Sequence, residues 1–206
     1  SGPKRNFFFR LDAPHRAARA GMRGITLGAL LGLGDWRFDL YMLAMHGRWL
    51  QQRFPHLEVS FSLPRIRPRA EGEQSEDAGT DKGRNVFQPM LVDDRTFVQA
   101  LTALRCFLPH AGITLSTRER AFLRDKLLPL GVTKVSAGVC TGVGGYAKPE
   151  AKEKDVQFVI DDERSVAEMA LALEGLGYQP VFADWLLPGD GTQPLAGGII
   201  RSIGRS

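Results

Sequence analysis

Gly112-Ile-Thr-Leu-Ser-Thr-Arg-Glu119 sets the fold of this chain. An apolar strand pattern through Leu115 breaks into Ser116, Thr117 and Arg118 just before a helical pattern. Residues two apart on a strand point the same way, so Ser116 and Arg118 project together from the strand's carboxyl end. A hydroxyl beside a guanidinium fork suits a carboxylate. In β/α proteins that end of the strand is where sites are built. A purely local reading is also open. Ser116-x-x-Glu119 has the spacing of a capping box, which accounts for Ser and Glu without a ligand and leaves Arg118 on the surface of the first helical turn.

Outward from this stretch, strand and helix patterns alternate. Asp12 before Ala13-Pro14 reads as an N-cap with proline near the first turn, opening a short helix that ends at Gly21. Residues 24–30 read as a short buried strand flanked by glycines. Asp35 then caps a longer helix carrying Leu40, Leu43, Leu50 and Phe54 at helical spacing, stopped by Pro55. Glu58-Val-Ser-Phe-Ser-Leu63 alternates as a strand does. Asp93 or Asp94 caps a helix whose inward stripe is Phe97, Leu101, Leu104 and Leu108. After the Ser116 strand come a helix around 121–130 and a strand at 133–136. The last helix opens with a capping box, Ser165-x-x-Glu168, carries Val166, Met169 and Leu173, and ends at Leu176-Gly177.

Four strands joined by helices imply parallel pairing with right-handed crossovers. The fold class is α/β, as part of a (β/α) barrel or a small doubly wound sheet. Half a barrel leaves two sheet edges and one face to be covered. Residues 1–185 are expected to form this unit, interrupted at 69–87 by a charged, small-residue insertion with the character of a mobile loop. Residues 186–206 form a Gly-, Pro- and polar-rich tail of flexible character, in which Gly198-Ile199-Ile200 is apolar enough to dock.

The composition of the 206 residues narrows the class. A hydrophobic share of 43% and a charged share of 24% are those of a globular protein. The net charge of +4 is dispersed without a basic stripe or interleaved aromatics, which argues against nucleic-acid binding. No run is long enough to span a membrane. Two cysteines, Cys106 and Cys140, give neither a disulfide framework nor a Cys-x-x-Cys pair, which points to a reducing, cytoplasmic setting. The four histidines lie far apart and read as surface or packing residues. A first residue other than Met fits a processed product or a part of a longer chain.

Three further segments carry candidate chemistry. Gly138-Val-Cys-Thr-Gly-Val-Gly-Gly145 could offer backbone N–H groups to an anion but lacks the P-loop Lys-Ser/Thr, and a tight turn explains it equally. Gly28-Ala-Leu-Leu-Gly-Leu33 permits close approach of a flat ligand such as adenine, or close helix packing. Arg65 and Arg67 follow a strand between two prolines and could meet an anionic substrate. Asp161-Asp162, before the last helix, reads as capping.

Taken in order, several motifs resemble one family. They are Gly2-Pro-Lys, Arg10-Leu-Asp, Leu27-Gly-Ala-Leu-Leu-Gly-Leu33 with Asp35-Trp36, Ser62-Leu-Pro-Arg-Ile-Arg-Pro68 and Leu115-Ser-Thr-Arg-Glu119. Arg124-Asp, Leu128-Pro-Leu-Gly131, Ser136-Ala-Gly138, Gln157-Phe158 and Gly177-Tyr-Gln-Pro-Val181 with Asp184-Trp185 follow. The chain resembles the carboxyl-terminal half of the 2-iminoacetate synthases, the thiamine-pathway tyrosine lyases, and their hydrogenase-maturation relatives. That resemblance implies a radical S-adenosylmethionine carbon–carbon lyase on a TIM-type barrel. Such enzymes use a [4Fe–4S] cluster to cleave tyrosine to 2-iminoacetate (dehydroglycine) and p-cresol for the thiazole of thiamine. It implies that Ser116 and Arg118 hold the tyrosine carboxylate, with Arg65 also near substrate. Arg10 and the backbone of Gly28, Ala29, Leu30 and Gly32 would seat S-adenosylmethionine.

The family's Cys-x-x-x-Cys-x-x-Cys cluster motif is absent from this sequence, and a missing carboxyl-terminal cysteine cluster favours the thiamine enzyme. The expectation is a chain inactive by itself, completed by the amino-terminal half of the barrel or a split partner, with thiazole synthase as a further contact. The alternative is a noncatalytic remnant that binds tyrosine, S-adenosylmethionine or a thiazole-pathway partner.

Overall fold

The structure, a computed structural model, describes residues 5–66, 90–139 and 160–182 and the backbone of 200–203. Two short helices, α1 (Phe7–Leu11) and α2 (Ala13–Arg19), precede a regular alternation. It runs β1 (Gly24–Gly28), α3 (Trp36–Arg53), β2 (Glu58–Ser62), α4 (Asp94–Phe107), β3 (Gly112–Leu115) and α5 (Ala121–Leu127). A 3-10 turn at Leu128–Leu130 leads to β4 (Lys134–Val135), followed by α6 (Val166–Gly175), β5 (Gln179–Val181) and β6 (Ile200–Ile203).

The helix boundaries follow local chemistry. Asp35 accepts the Arg37 N–H and Asp93 accepts the Thr96 N–H at 2.7 Å, so Asp93 rather than Asp94 caps α4. Ser165 and Glu168 close a reciprocal capping box on α6. Asp12 corrects the expectation for α2. It occupies the N-cap position, but its backbone is helical because α1 runs straight into it, and its carboxylate takes His15 and Arg16 instead.

β1 to β4 are parallel neighbours in chain order. β4 then pairs with β6, and β6 with β5, both antiparallel. Six described strands therefore stand where four were expected. β5 is three residues long with a central proline, which gives no periodicity to read and lacks one ladder donor. β6 contains Ile200, the residue expected to dock, in a pairing that needs no right-handed crossover. Among the described residues, no helix is long and apolar enough to cross a membrane.

The register divides the parallel sheet into two unlike faces. Residues paired across parallel strands share a face. One face carries the rows Ile25–Val59, Leu27–Phe61–Ile113 and Leu115–Val135. Except for the partly buried Ile25, these side chains are at most 5% exposed and belong to the main core. The helices supply the other side of that core through Leu40, Ala44 and Leu50 of α3, Phe97, Leu101 and Leu104 of α4, and Leu123 and Leu127 of α5. The opposite face carries Thr26–Ser60–Gly112 and Gly28–Ser62–Thr114–Lys134. Its residues are small or polar, and apart from Ser60 they are exposed or half-buried. In a β/α barrel this is the inward face, so the sequence builds a polar barrel interior against an apolar outer layer.

Candidate functional site at the carboxyl ends of the strands

β1 and β2 continue beyond their ladder as paired loops. Leu31 and Arg65 form a parallel bridge, with the Leu31 N–H donating to the Pro64 carbonyl at 2.8 Å and the Ile66 N–H to the Leu31 carbonyl at 2.9 Å. Leu31 is fully buried. Gly32 has φ +100°, and its carbonyl accepts the Met90 N–H at 3.1 Å. A Cβ on Gly28 would approach the Ser62 carbonyl oxygen to 3.2 Å. The glycines in this stretch thus serve a turn and a close strand approach, and Gly28 still leaves exposed backbone on the polar face. Arg10 is exposed on α1, a helix that precedes β1 by way of α2.

Beyond β3 the alternation of burial does not stop at Leu115. Thr117 and Glu119 are buried, 3% and 2% exposed, while Ser116 and Arg118 are half-buried like Thr114. Ser116 and Arg118 therefore flank the buried Thr117 just past the carboxyl end of β3, in a turn closed by the Glu119 N–H donating to the Ser116 carbonyl at 3.4 Å. This corrects the capping-box reading of Ser116-x-x-Glu119: α5 begins with Arg120 at its N-cap and no side-chain cap. Glu119 faces the core instead and takes a guanidinium.

That guanidinium is Arg65. Its Nε donates to Glu119 Oε1 at 3.0 Å and Nη2 to Oε2 at 2.6 Å, a bidentate fork. Nη1 donates to the Val92 carbonyl at 2.9 Å and Nη2 also to Asp94 at 2.6 Å, with the Phe97 ring 4.8 Å from Cζ. Burial opposes the Arg65 charge, but the two carboxylates outweigh it and hold its pKa above the ordinary value. A buried guanidinium so fully engaged is a strut between the loops that follow β2 and β3. Arg67 and Cys140 lie outside the described residues, as do 140–145 of the glycine loop, the 69–87 insertion and most of the tail.

A second cluster lies below Ser116. Asp162 is 2% exposed and corrects the capping assignment of Asp161-Asp162: its Oδ2 accepts from Arg124 Nη1 and, at 2.6 Å, from Arg164 Nη2. Burial raises the Asp162 pKa, but Arg164's hydrogen bonds and Arg124's charge prevail, so it lies below the usual carboxylate value. The Arg65 hydrogen bond likewise depresses Asp94. Stability from a depressed carboxylate is complete above its unfolded pKa of about 3.9 and is lost as pH falls through the lower folded value. Denaturant midpoints measured from pH 6 down to pH 2 should therefore drop below about pH 4. Asp162→Asn should flatten that drop, and an unchanged slope would deny the ion pair its linkage.

Among the described residues, no group of three His, Cys, Asp or Glu side chains could hold a metal. Cys106 is an exposed free thiol on α4.

These features define an α/β protein of the β/α-barrel class, with polar residues gathered where parallel strands end. The Biotin and Thiamin Synthesis associated domain matches residues 62–179, more than half of the chain, and the chain belongs to that family. It is 41% identical over 187 residues to the 2-iminoacetate synthase of Escherichia coli strain K12, and 39% identical over 185 residues to that of Salmonella typhimurium strain LT2. The alignments cover 89% of this chain and 45% of each relative, so the chain spans less than half the length of these curated relatives. Among solved structures it is similar to HydG, a maturase of the [FeFe]-hydrogenase, with a TM-score of 0.68 at 32% identity. That match covers 86% of this chain and 36% of the HydG chain. HydG from Carboxydothermus hydrogenoformans gives a TM-score of 0.66 at 36% identity, over 86% and 37% of the two chains.

Proposed function

We propose that this chain is the substrate-holding part of a tyrosine lyase of the 2-iminoacetate synthase type, equivalent to the carboxyl-terminal half of the barrel. The observation that carries the reading is that Ser116 and Arg118 lie half-buried, two residues apart, just past the carboxyl end of β3. Arg118 offers its fork and Ser116 its hydroxyl to the tyrosine carboxylate. Each charge-assisted hydrogen bond of this kind contributes about 1.5–3 kcal/mol. Ser62, Thr114 and Lys134 extend the same face around the bound amino acid.

The exposed backbone of Gly28, with Ala29 and Leu30 beside it, fits a flat adenine. Gly32 contributes the turn that ends this cradle, and Arg10 is assigned to the same cofactor from α1. When bound there, S-adenosylmethionine supplies the 5′-deoxyadenosyl radical that tyrosine lyases use. The [4Fe–4S] cluster does not fit the residues of this chain, because three clustered thiolates are needed and the sequence holds two distant cysteines. Its ligands belong to the amino-terminal half or a split partner, and the chemistry of these residues is binding and orientation.

Anaerobic co-expression with the amino-terminal half of a 2-iminoacetate synthase should release p-cresol from tyrosine. Arg118→Met should lower tyrosine affinity in that assembly by about 10- to 100-fold. Correctly folded, associated halves that yield no p-cresol would overturn the reading. The missing thiolates favour a second reading, a noncatalytic module for the same ligands. It is distinguished by calorimetric binding of tyrosine or S-adenosylmethionine to the chain without iron and no product after complementation.

A further inference from the structure

Arg124 is fully buried on α5, and nothing in its local sequence calls for a charge there. Burial pulls its pKa below the ordinary arginine value. Replacing a buried ion pair with apolar groups of similar size is often neutral or stabilising, so core stability does not explain this residue. Its connections do. Nη1 donates to Asp162 and Nη2 to the Ser136 carbonyl, where β4 ends. Asp162 Oδ1 accepts from its own turn, at 3.1 Å from the Arg164 N–H and 2.9 Å from Arg164 Nε. The turn is closed from the other side by Gly138 N–H, which donates to the Arg164 carbonyl at 3.0 Å.

The turn held in this way presents two successive N–H groups, those of Asp161 and Asp162, to one acceptor. That acceptor is the Thr117 carbonyl, at 3.0 and 3.1 Å. Thr117 is the residue between Ser116 and Arg118, and its carbonyl lies in the peptide that carries the Arg118 N–H, so holding it anchors the backbone of the loop that bears both side chains. Glu119, one residue beyond Arg118, is clamped by Arg65. Thr117 and Glu119 are thus both anchored inward, and the half-buried Ser116 and Arg118 alternate with them.

We infer that Arg124 and Asp162 are positioning residues for Ser116 and Arg118: they fix the 161–164 turn whose backbone holds Thr117, and through it the carboxylate grip. This inference rests on the proposed tyrosine site and adds the residues that aim it. Neither side chain touches substrate in this arrangement.

The test uses the 206-residue chain, complemented as above, with two variants. Asp162→Asn keeps shape while weakening both arginine contacts. Arg124→Lys keeps a charge but cannot reach Asp162 and Ser136 in two directions at once. The first readout is amide hydrogen exchange over 116–119, referenced to β2, which needs no ligand. The second is tyrosine affinity by calorimetry. Both variants should exchange about tenfold faster at 116–119 with β2 unchanged, and bind tyrosine about tenfold more weakly, the scale of one misaligned charge-assisted bond. Unchanged exchange at 116–119 in folded variants overturns the positioning role. So does faster exchange with wild-type affinity, which would make the network purely structural. If the unmodified assembly binds no tyrosine, the functional reading falls, and the exchange result still decides whether Asp162 holds the loop. Should Asp162→Asn fail to fold, Arg124→Lys supplies the same comparison.

Discussion

Arg65→Met should destabilise the chain by about 3–5 kcal/mol, the cost of leaving a buried carboxylate without its ionic partner. Met matches the length of the arginine stem and can still pack on Phe97, so the loss is mainly electrostatic. Glu119 stays 2% exposed and forfeits two charge-assisted bonds at once. Asp94→Asn should cost no more than about 1 kcal/mol, since the Asp94 side chain is 43% exposed and screened. Arg65→Met with Glu119→Gln should recover much of the single-variant loss, because the uncompensated charge is gone. Urea unfolding of the parent, the two single variants and the double variant forms a double-mutant cycle. Additive losses would mean that Arg65 and Glu119 do not act as a pair.

The same ion pair marks the boundary of what the amino-acid order reveals. Caps at Asp35, Asp93 and Ser165 are satisfied by residues within a few positions, the inward stripe of α4 and the alternation in β2 are periods within one element, and all are legible in the sequence. The strand that leads up to Ser116 is legible for the same reason. Glu119 and Asp162 mislead because their local spacing imitates a cap while the buried arginine that each takes, Arg65 or Arg124, lies 54 or 38 residues away. One signal exists for Glu119. Burial alternates through Ile113, Leu115, Thr117 and Glu119 although the strand itself ends at Leu115, so a count of two carried past the apolar residues finds Glu119. For Asp162 no comparable pattern exists, because a single loop residue has no period. β5, at three residues with a central proline, is shorter than the four residues over which alternation is read. The family resemblance supplies the barrel, whereas the roles of Arg65 and Arg124 follow from contacts that a shared motif does not specify.

Phe61→Ala should cost about 3–5 kcal/mol, the range for truncating a buried aromatic ring. Phe61 is fully buried at the centre of the Leu27–Phe61–Ile113 row, and its ring lies against Gly47 of α3. A Cβ on Gly47 would overlap the ring, so the glycine exists to let α3 close down on β2. Gly47→Ala should therefore be destabilising by about 1–3 kcal/mol in the parent, as overpacking is. That holds even though alanine favours the helix by about 1 kcal/mol over glycine. In the Phe61→Ala background the sign should reverse: the methyl enters space the ring has left, and the helical preference adds to the gain. Urea unfolding of the two single variants and the double variant measures the coupling. Independent, additive effects would show that α3 can shift away from β2, and that its approach is not fixed by this contact. The consequence reaches the site, because Ser62 on the polar face and Arg65 beyond it are carried by the strand that Phe61 anchors.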